Sequence, residues 1–194
     1  MTAAAEPDPR IARSKDVILR GALEELAEVG YGAFTIESVA ARAGVGKSTI
    51  YRHWKGKLPL IADALESLNV QPAPTVVAPS ARERVVQLVQ HVAAAMAGSI
   101  FSACLPALVD AAERDAEVRA FHHGYARLRR RTLVAAIRDG VAAGEFAPDV
   151  DADLAAGALV GPIFYGRLVS GEGFAPERVP ALVELVLRRS DRAS

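Results

Sequence analysis

The sequence predicts an all-α protein with an N-terminal three-helix unit that contains a helix-turn-helix, followed by a larger helical domain. Apolar residues recur at intervals of three and four along most of the chain, as on one face of a helix. Strictly alternating runs, which would indicate strands, are absent from the sequence. Gly and Pro separate the helical segments, and 51% hydrophobic residues in a chain of 194 suffice for a substantial core.

Four helices are predicted in the first third of the chain, over residues 11–29, 36–43, 46–53 and a last segment that ends near residue 68. Gly30 and Gly44 stand where helices should stop, because glycine accepts the left-handed backbone of a helix C-terminus. Thr35 is an N-cap residue type for the second helix, and Val45 is the apolar pivot of the turn. Residues 1–10 are rich in Ala, Pro and acidic side chains and predict a disordered tail.

Three prolines between residues 71 and 79 predict a loop that leads to a second domain. Five helical segments rich in Ala, Leu and Val follow, over residues 81–96, 102–114, 117–143, 151–169 and 176–189. Pro162 should bend the fourth of these, as a packing feature or as a hinge. The resulting division is a tail over 1–10, a helix-turn-helix domain over 11–57 and a helical domain over 58–194.

The charge of the chain is local although its formal net charge is zero. Residues 10–57 carry nine Lys or Arg against five Asp or Glu, a balance of +4, and residues 58–194 carry fourteen against sixteen. This positive segment suits contact with a polyanion. We expect no membrane segment, because no run of 18 uncharged apolar residues occurs, and the single Cys104 fits a reducing cytoplasm.

The segment from Thr35 to Lys57 has the pattern of two short helices packed around an apolar pivot, with a polar outer face. Such a helix fits the major groove of double-stranded DNA. We expect Lys47, Ser48 and Thr49 to meet base edges, and Tyr51, His53 and Lys57 to orient the protein on phosphates. The full set of predicted DNA-contacting residues is Thr35, Gly46, Lys47, Ser48, Thr49, Tyr51, Arg52, His53 and Lys57.

This segment, FTIESVAARAGVGKSTIYRHWKGK, resembles the signature of the TetR (tetracycline repressor) family of bacterial regulators. The resemblance rests on Thr35, Ala40, Gly44, Val45, Tyr51, Trp54 and Lys57 and covers about the first third of the chain. It implies a helical effector-binding and dimerisation domain after the helix-turn-helix domain, and release of operator DNA when a small molecule binds. Two positions depart from the family: Gly46 replaces a frequent Ser, and Ser48 replaces a small residue that is often Gly.

A homodimer is expected because one short recognition helix covers too few base pairs, whereas two related by a dyad read a palindrome. The predicted dimer interface consists of small and apolar residues of the fourth segment: Ala155, Ala158, Gly161, Ile163 and Phe164. The predicted effector pocket consists of apolar residues with sparse polar groups: His91, Met96, Phe101, His122, Tyr125 and Phe164. Ordinary core packing predicts the same residues.

The sequence leaves two alternatives to a DNA-binding repressor, of which the first is a nucleotide-binding enzyme. Residues 41–48, ARAGVGKS, satisfy a relaxed phosphate-loop pattern, but such a loop follows a buried strand, and none is predicted here. A helical interaction module without DNA binding is the second alternative. Adjacent His122 and His123 point about 100 degrees apart on a helix and favour no metal site. We expect no catalytic activity, cofactor or metal.

Overall fold

A computed structural model describes residues 9–68 and 79–188 of the chain, with side chains from Arg13 onward. In these ranges it contains helices and no β-strand, which confirms the all-α class. The helices are α1 (Pro9–Ala33), α2 (Ile36–Ala43), α3 (Lys47–His53), α4 (Lys57–Ser67), α5 (Ala81–Gly98), α6 (Ile100–Arg114), α7 (Ala116–Ala142), α8 (Ala152–Tyr165) and α9 (Val179–Val186). A π-helix (Gly166–Ser170) follows α8, and a 3-10 turn (Pro176–Arg178) precedes α9.

Most predicted helices are found within a few residues of their expected ends. α1 is longer than expected, but Gly30 has φ 74 and ψ 170 and interrupts it, so the regular helix ends there as predicted. The predicted helix over 151–169 is instead α8 followed by the π-helix. Residues 1–8 of the predicted tail, residues 71–78 of the predicted loop and residue 189 of the last predicted helix lie outside the described residues.

The chain divides into two compact units. Among the described residues, the first holds α1 to α4 together with residues 107–119, and the second holds residues 79–106 and 120–188. α4 packs against α1, so the first unit extends beyond residue 57.

In the first unit, α1 supplies one wall of the core with the buried side chains Ile18, Leu19, Ala22, Leu23 and Leu26. Their spacing of three and four residues is that of one helix face. Arg42 of α2 donates from Nε and Nη2 to the buried carboxylate of Glu25 on α1, at 3.1 and 2.9 Å. Both N–H groups donate to Oε2, and this ion pair fixes α2 on α1.

The end of α6 and the start of α7 belong to the first unit, together with α1 to α4. Ala111, Ala112 and Val118 form a buried apolar cluster, and Tyr31 and Leu58 pack against it. Burial, and then the nearby carboxylates of Asp115 and Glu117, raise the pKa of the Tyr31 hydroxyl. Tyr31 therefore stays a neutral packing group at physiological pH.

The second unit is built on α5, which packs against α8 and α9. Ser80 caps α5 by accepting from the backbone N–H of Glu83 at 3.1 Å. The Glu145 carboxylate accepts from the backbone N–H groups of Ala81 and Arg82 at 2.8 and 3.0 Å. An anionic group at this helix start stabilises it, because the N–H groups there have no partner within the helix.

Within the described residues, the segment Ala152–Ser170 is long and apolar enough to cross a membrane by length and composition alone. α5 and α6 pass the same test only as a pair that is bent by 81°. Buried and interface helices share this composition, so these properties alone are weak evidence of a membrane span.

Candidate functional site

The turn between α2 and α3 is fixed by local backbone chemistry. Thr35 is the N-cap of α2, as predicted, and its Oγ1 accepts from the backbone N–H of Ser38 at 3.1 Å. Gly44 ends α2 in the left-handed conformation, with φ 65 and ψ 31. The N–H of Val45 then donates to the carbonyl of Ala40 at 3.0 Å, which closes the turn.

α3 is held from behind by two buried side chains, Ile50 and Trp54. The Trp54 Nε1–H donates to Asp63 Oδ2 on α4 at 2.9 Å. Lys15 of α1 lies 3.7 Å from the same carboxylate oxygen. One end of α3 is therefore anchored to two other helices of the first unit, and Gly46 caps the other end without a side-chain hydrogen bond.

The opposite face of α3 is polar and open to solvent. Lys47, Ser48, Tyr51 and Arg52 are exposed there, at positions i, i+1, i+4 and i+5 of the helix. Tyr51 is a large aromatic residue with 50% exposure. Among the other predicted contacts, Thr35, Gly46 and His53 are exposed, and Thr49 is half-buried.

Ion pairs within the first unit engage several of its cations. Lys47 Nζ lies 3.6 Å from Glu37 on α2, and both side chains are exposed. Lys57 donates from Nζ to the carbonyl of Tyr31 at 2.9 Å and lies 4.1 Å from the centre of its ring. Lys57, which was predicted to contact DNA, therefore joins the start of α4 to the end of α1 in this structure.

Four exposed arginines or lysines of the first unit have no ion pair within the described residues: Arg13, Arg52, Lys55 and Arg119. Lys55 was not among the predicted DNA contacts, although it lies directly after α3 in the sequence. The signal that could have found it is its position directly after α3, in a stretch from residue 38 to residue 62 that contains no Asp or Glu.

The second unit contains a pocket of about 490 Å³ that is partly open to solvent and is called the cavity below. Its wall is formed by residues 96–99, 102–103, 166–167 and 171–173. Of the predicted effector-pocket residues, Met96 lines this cavity and the other five do not. Phe101 and Tyr125 lie together instead, with ring centres 6.0 Å apart, and His91 is exposed. Sequence reasoning missed Arg167, which lies in the wall.

The predicted dimer residues fall on two faces of α8. Ala155 and Ile163 are buried inside the unit, Phe164 is half-buried, and Ala158 and Gly161 are exposed. The exposed pair belongs to an apolar stripe that continues into the π-helix, namely Leu154, Ala158, Gly161, Tyr165, Leu168 and Val169. Leu154 and Val169 are 73% and 69% exposed, so none of the residues that the structure describes covers this stripe.

The remaining candidate constellations have simple places in the fold. The phosphate-loop pattern over 41–48 follows helix α2 and spans the turn, so a helix stands where that alternative requires a strand. The rings of His122 and His123 lie 6.0 Å apart. Among the described residues, no group of three or more His, Cys, Asp or Glu has a metal-binding arrangement.

An anchored short helix with an exposed polar face, preceded by a capped helix and a glycine turn, defines a DNA-binding regulator of the helix-turn-helix class. Residues 18–64 match the model for bacterial regulatory proteins of the tetR family, and residues 78–186 match the tetracyclin repressor-like C-terminal domain. The chain belongs to the TetR family of transcriptional regulators, and the predicted resemblance is confirmed.

Individual relatives agree with the family assignment. The uncharacterised HTH-type transcriptional regulator YdeS of Bacillus subtilis is 28% identical over 167 residues, which are 84% of this chain and 83% of that protein. The DNA-binding transcriptional repressor TetR of Mycobacteroides abscessus is 46% identical over 50 residues, 26% of each chain. The transcriptional regulator FadR of Bacillus subtilis, in a crystal structure with stearoyl-CoA, shares the fold with a TM-score of 0.72 and 18% identity, over 89% of this chain and 97% of that chain.

Proposed function

We propose that the chain is a homodimeric repressor that inserts α3 into the major groove of a palindromic operator and leaves it when a small molecule binds the second unit. The observation that carries this proposal is the polar face of α3, held rigid by Ile50 and Trp54. A preformed face loses little conformational entropy on binding DNA. Under this proposal the chain acts through binding and catalyses no reaction.

We assign base contacts to Lys47, Ser48 and Thr49, and phosphate contacts to Tyr51 and His53. Arg52 and Lys55 add charge toward phosphates, because neither has an ion pair within the described residues. We assign DNA binding to residues 11–57, and effector binding and dimerisation to residues 58–194. Helix α4, at the start of the second range, packs against α1 of the first.

Anisotropy titrations test the DNA contacts, with a labelled duplex selected from a random pool and measured at two salt concentrations. We expect strong salt dependence in the parent protein. Lys55→Ala should lower the slope of log K against log salt by about one per subunit, because it removes one cation from a phosphate. Tyr51→Ala should weaken all duplexes alike with an unchanged slope, whereas Lys47→Ala should change the preferred sequence.

Arg131→Ala is the control, since Arg131 is exposed on α7 in the second unit. A parent protein that binds no selected duplex even at low salt would refute the DNA-binding proposal. Equal loss from Arg131→Ala and Lys55→Ala would show that affinity follows net charge rather than the face around α3.

We propose that a second copy of the chain covers the apolar stripe of α8 and the π-helix. The stripe includes Gly161, and apart from its chain neighbours and the backbone of its own helix no atom lies within 4 Å of where a Cβ at Gly161 would stand. Small residues here allow the helices of two subunits to approach closely. A dimer that reads a palindrome requires its two α3 helices about 34–36 Å apart, which is the spacing of successive major-groove turns.

Sedimentation velocity tests the dimer with two matched variants. Leu154→Arg places a charge on the stripe, and Leu128→Arg places one on α7, where Leu128 is 51% exposed and lies off the stripe. We expect the parent and Leu128→Arg to sediment as dimers and Leu154→Arg as a monomer. A parent protein that is monomeric at micromolar concentration would contradict the proposed interface.

The proposal that a small molecule controls DNA binding rests on the cavity in the second unit. Stearoyl-CoA bound to Bacillus subtilis FadR indicates that this fold accommodates ligands. A ligand that favours one arrangement of the subunits over another lowers DNA affinity by its differential affinity for the two states.

A further inference from the structure

We infer that the cavity of the second unit is the effector site, and that its ligand is a small organic carboxylic acid whose carboxylate binds Arg167. This inference rests on the proposed function, in which a small molecule controls DNA binding. The volume of about 490 Å³ lies within the range of small-molecule sites in proteins. The end of α5, the start of α6 and the π-helix surround it.

Arg167 is the cation among the described residues that line the cavity, and its charge is not balanced there by an ion pair. Its Nε donates to Ser102 Oγ at 2.6 Å and its Nη2 to the Ser102 carbonyl at 2.9 Å. Both acceptors are neutral. The part-buried Arg42 and Arg82 donate instead to carboxylates, at 2.9 and 2.8 Å. A half-buried guanidinium without a counter-ion favours an anionic ligand.

Ser102 holds the guanidinium in place before a ligand arrives. The side chain of Ser102 is buried, and its Oγ donates to the carbonyl of Met96 at 2.9 Å. With its hydrogen used in that bond, the Oγ can only accept from Arg167. The remaining N–H groups of the guanidinium stay available to a carboxylate in the cavity, and this preorganisation favours binding.

The backbone around Arg167 is specialised to form the cavity wall. Gly166 is buried, and a Cβ there would lie 2.8 Å from the carbonyl oxygen of Gly173. The N–H of Gly173 lies 3.4 Å from the Gly166 carbonyl oxygen, so the two backbones run close together. A π-helix begins at the same residue. Such helices are rare in proteins, and many of those that occur lie at functional sites.

The charges of the lining favour a ligand with a single negative charge. Glu172 also lines the cavity, and Arg167 and Glu172 form no ion pair in the described structure. A second negative charge on the ligand would meet repulsion from Glu172, which disfavours phosphates relative to carboxylates. Met96, Ala97 and Ala103 supply apolar contact for the rest of the molecule.

The test uses benzoate and octanoate as probes, each beside its neutral primary amide, with the full-length protein. Binding is measured by calorimetry and by the shift in melting temperature at fixed protein concentration. We expect at least one carboxylate to bind about 10-fold or more tightly than its amide, since hydrogen bonds to charged groups are the stronger ones. Arg167→Met should reduce carboxylate affinity to that of the amide.

Three further variants separate recognition from folding. Arg131→Met is the control for loss of an exposed arginine and should bind as the parent does. Arg167→Lys keeps the positive charge but loses the planar guanidinium that can donate two hydrogen bonds to one carboxylate. Its carboxylate affinity should lie between those of the parent and Arg167→Met. Ser102→Ala removes the anchor and should weaken carboxylate binding without changing amide binding, which also covers the case that Arg167→Met fails to fold.

Several results overturn the inference: no probe binds, amides bind as tightly as acids, or Arg167→Met retains carboxylate affinity. Anisotropy with operator DNA separates this failure from failure of the proposed function. If a carboxylate releases DNA from the parent and from Arg167→Met alike, ligand control stands and the assignment to Arg167 falls. If carboxylates bind through Arg167 and DNA affinity does not change, the assignment stands and ligand control by these acids falls.

Discussion

Gly140 is the point at which the packing of the second unit depends on the absence of a side chain. It lies in α7, and its carbonyl accepts from the backbone N–H groups of Glu145 and Phe146 at 2.9 and 3.2 Å. A Cβ at Gly140 would overlap the ring of Phe146, which is 0% exposed, and would lie 3.1 Å from Ala81 Cβ. The turn after α7 therefore packs Phe146 against the helix at Gly140, where no side chain is present.

Gly140→Ala combines two opposing effects on the free energy of unfolding. Overpacking of a filled core costs about 1–3 kcal/mol. Replacing Gly by Ala inside a helix returns about 1 kcal/mol. We expect an overpacking cost in the upper part of that range, about 2–3 kcal/mol, because the Phe146 ring is enclosed and has to move, and therefore a net loss of about 1–2 kcal/mol.

Gly124 provides the matched control in the same helix. Apart from its chain neighbours and the backbone of α7, no atom lies within 4 Å of where its Cβ would stand, so Gly124→Ala gains helix propensity without a clash. We expect this variant to be about 0.5–1 kcal/mol more stable than the parent. The same substitution in one helix should thus have opposite signs at the two positions.

Urea unfolding at a fixed protein concentration measures both variants, with the melting temperature as a second readout. For a chain of this size, each kcal/mol corresponds to about 2–4 °C. Adding Phe146→Leu to Gly140→Ala should recover part of the loss, since the smaller side chain makes room for the methyl group. If Gly140→Ala and Gly124→Ala stabilise the protein equally, the close approach of Phe146 to Gly140 is refuted.

Two further predictions concern ionisable groups. Desolvation by burial raises the pKa of the Cys104 thiol to about 11, so we expect a thiol reagent at pH 8 to react more than about 100-fold faster in denaturant than with the folded protein; comparable rates would contradict the burial. Burial, and then the neighbouring His123, lower the pKa of His122 from the 6.5 of an ordinary histidine, so the unfolded chain binds its proton first and stability should fall as the pH drops below about 6.5. His122→Gln should flatten this dependence in denaturant titrations between pH 5 and 8, and an unchanged slope would refute it.

Local chemistry explains why the helix-turn-helix could be predicted. Thr35 and Gly44 set the start and the end of α2 by their own backbone and side-chain preferences, without help from distant residues. Ile36 and Val39 are buried because helix periodicity places them on one face of α2, and Ile50 is buried on α3. Val45, the predicted pivot, is half-buried.

The face of α8 could not be assigned in the same way. This helix is apolar almost all round, so periodicity does not separate an inner face from an outer one. Ala155 and Ile163 share the inward face with Leu159, whereas Ala158 and Gly161 face outward. The cavity was missed for a related reason: its wall depends on the close approach of Gly166 and Gly173, which no local pattern encodes.

The excess of positive charge over residues 10–57, which predicts a polyanionic partner, overstates the charge that is available to DNA. Arg42 is committed to Glu25 and Glu28 within the first unit. Lys57 is committed to the Tyr31 carbonyl. These cations build the scaffold that presents α3, and the residues beside it, Arg52 and Lys55, carry charge that is not paired within the described part of the chain. Net charge over a segment therefore indicates which end of the protein meets DNA, and ion pairing decides which of its cations do so.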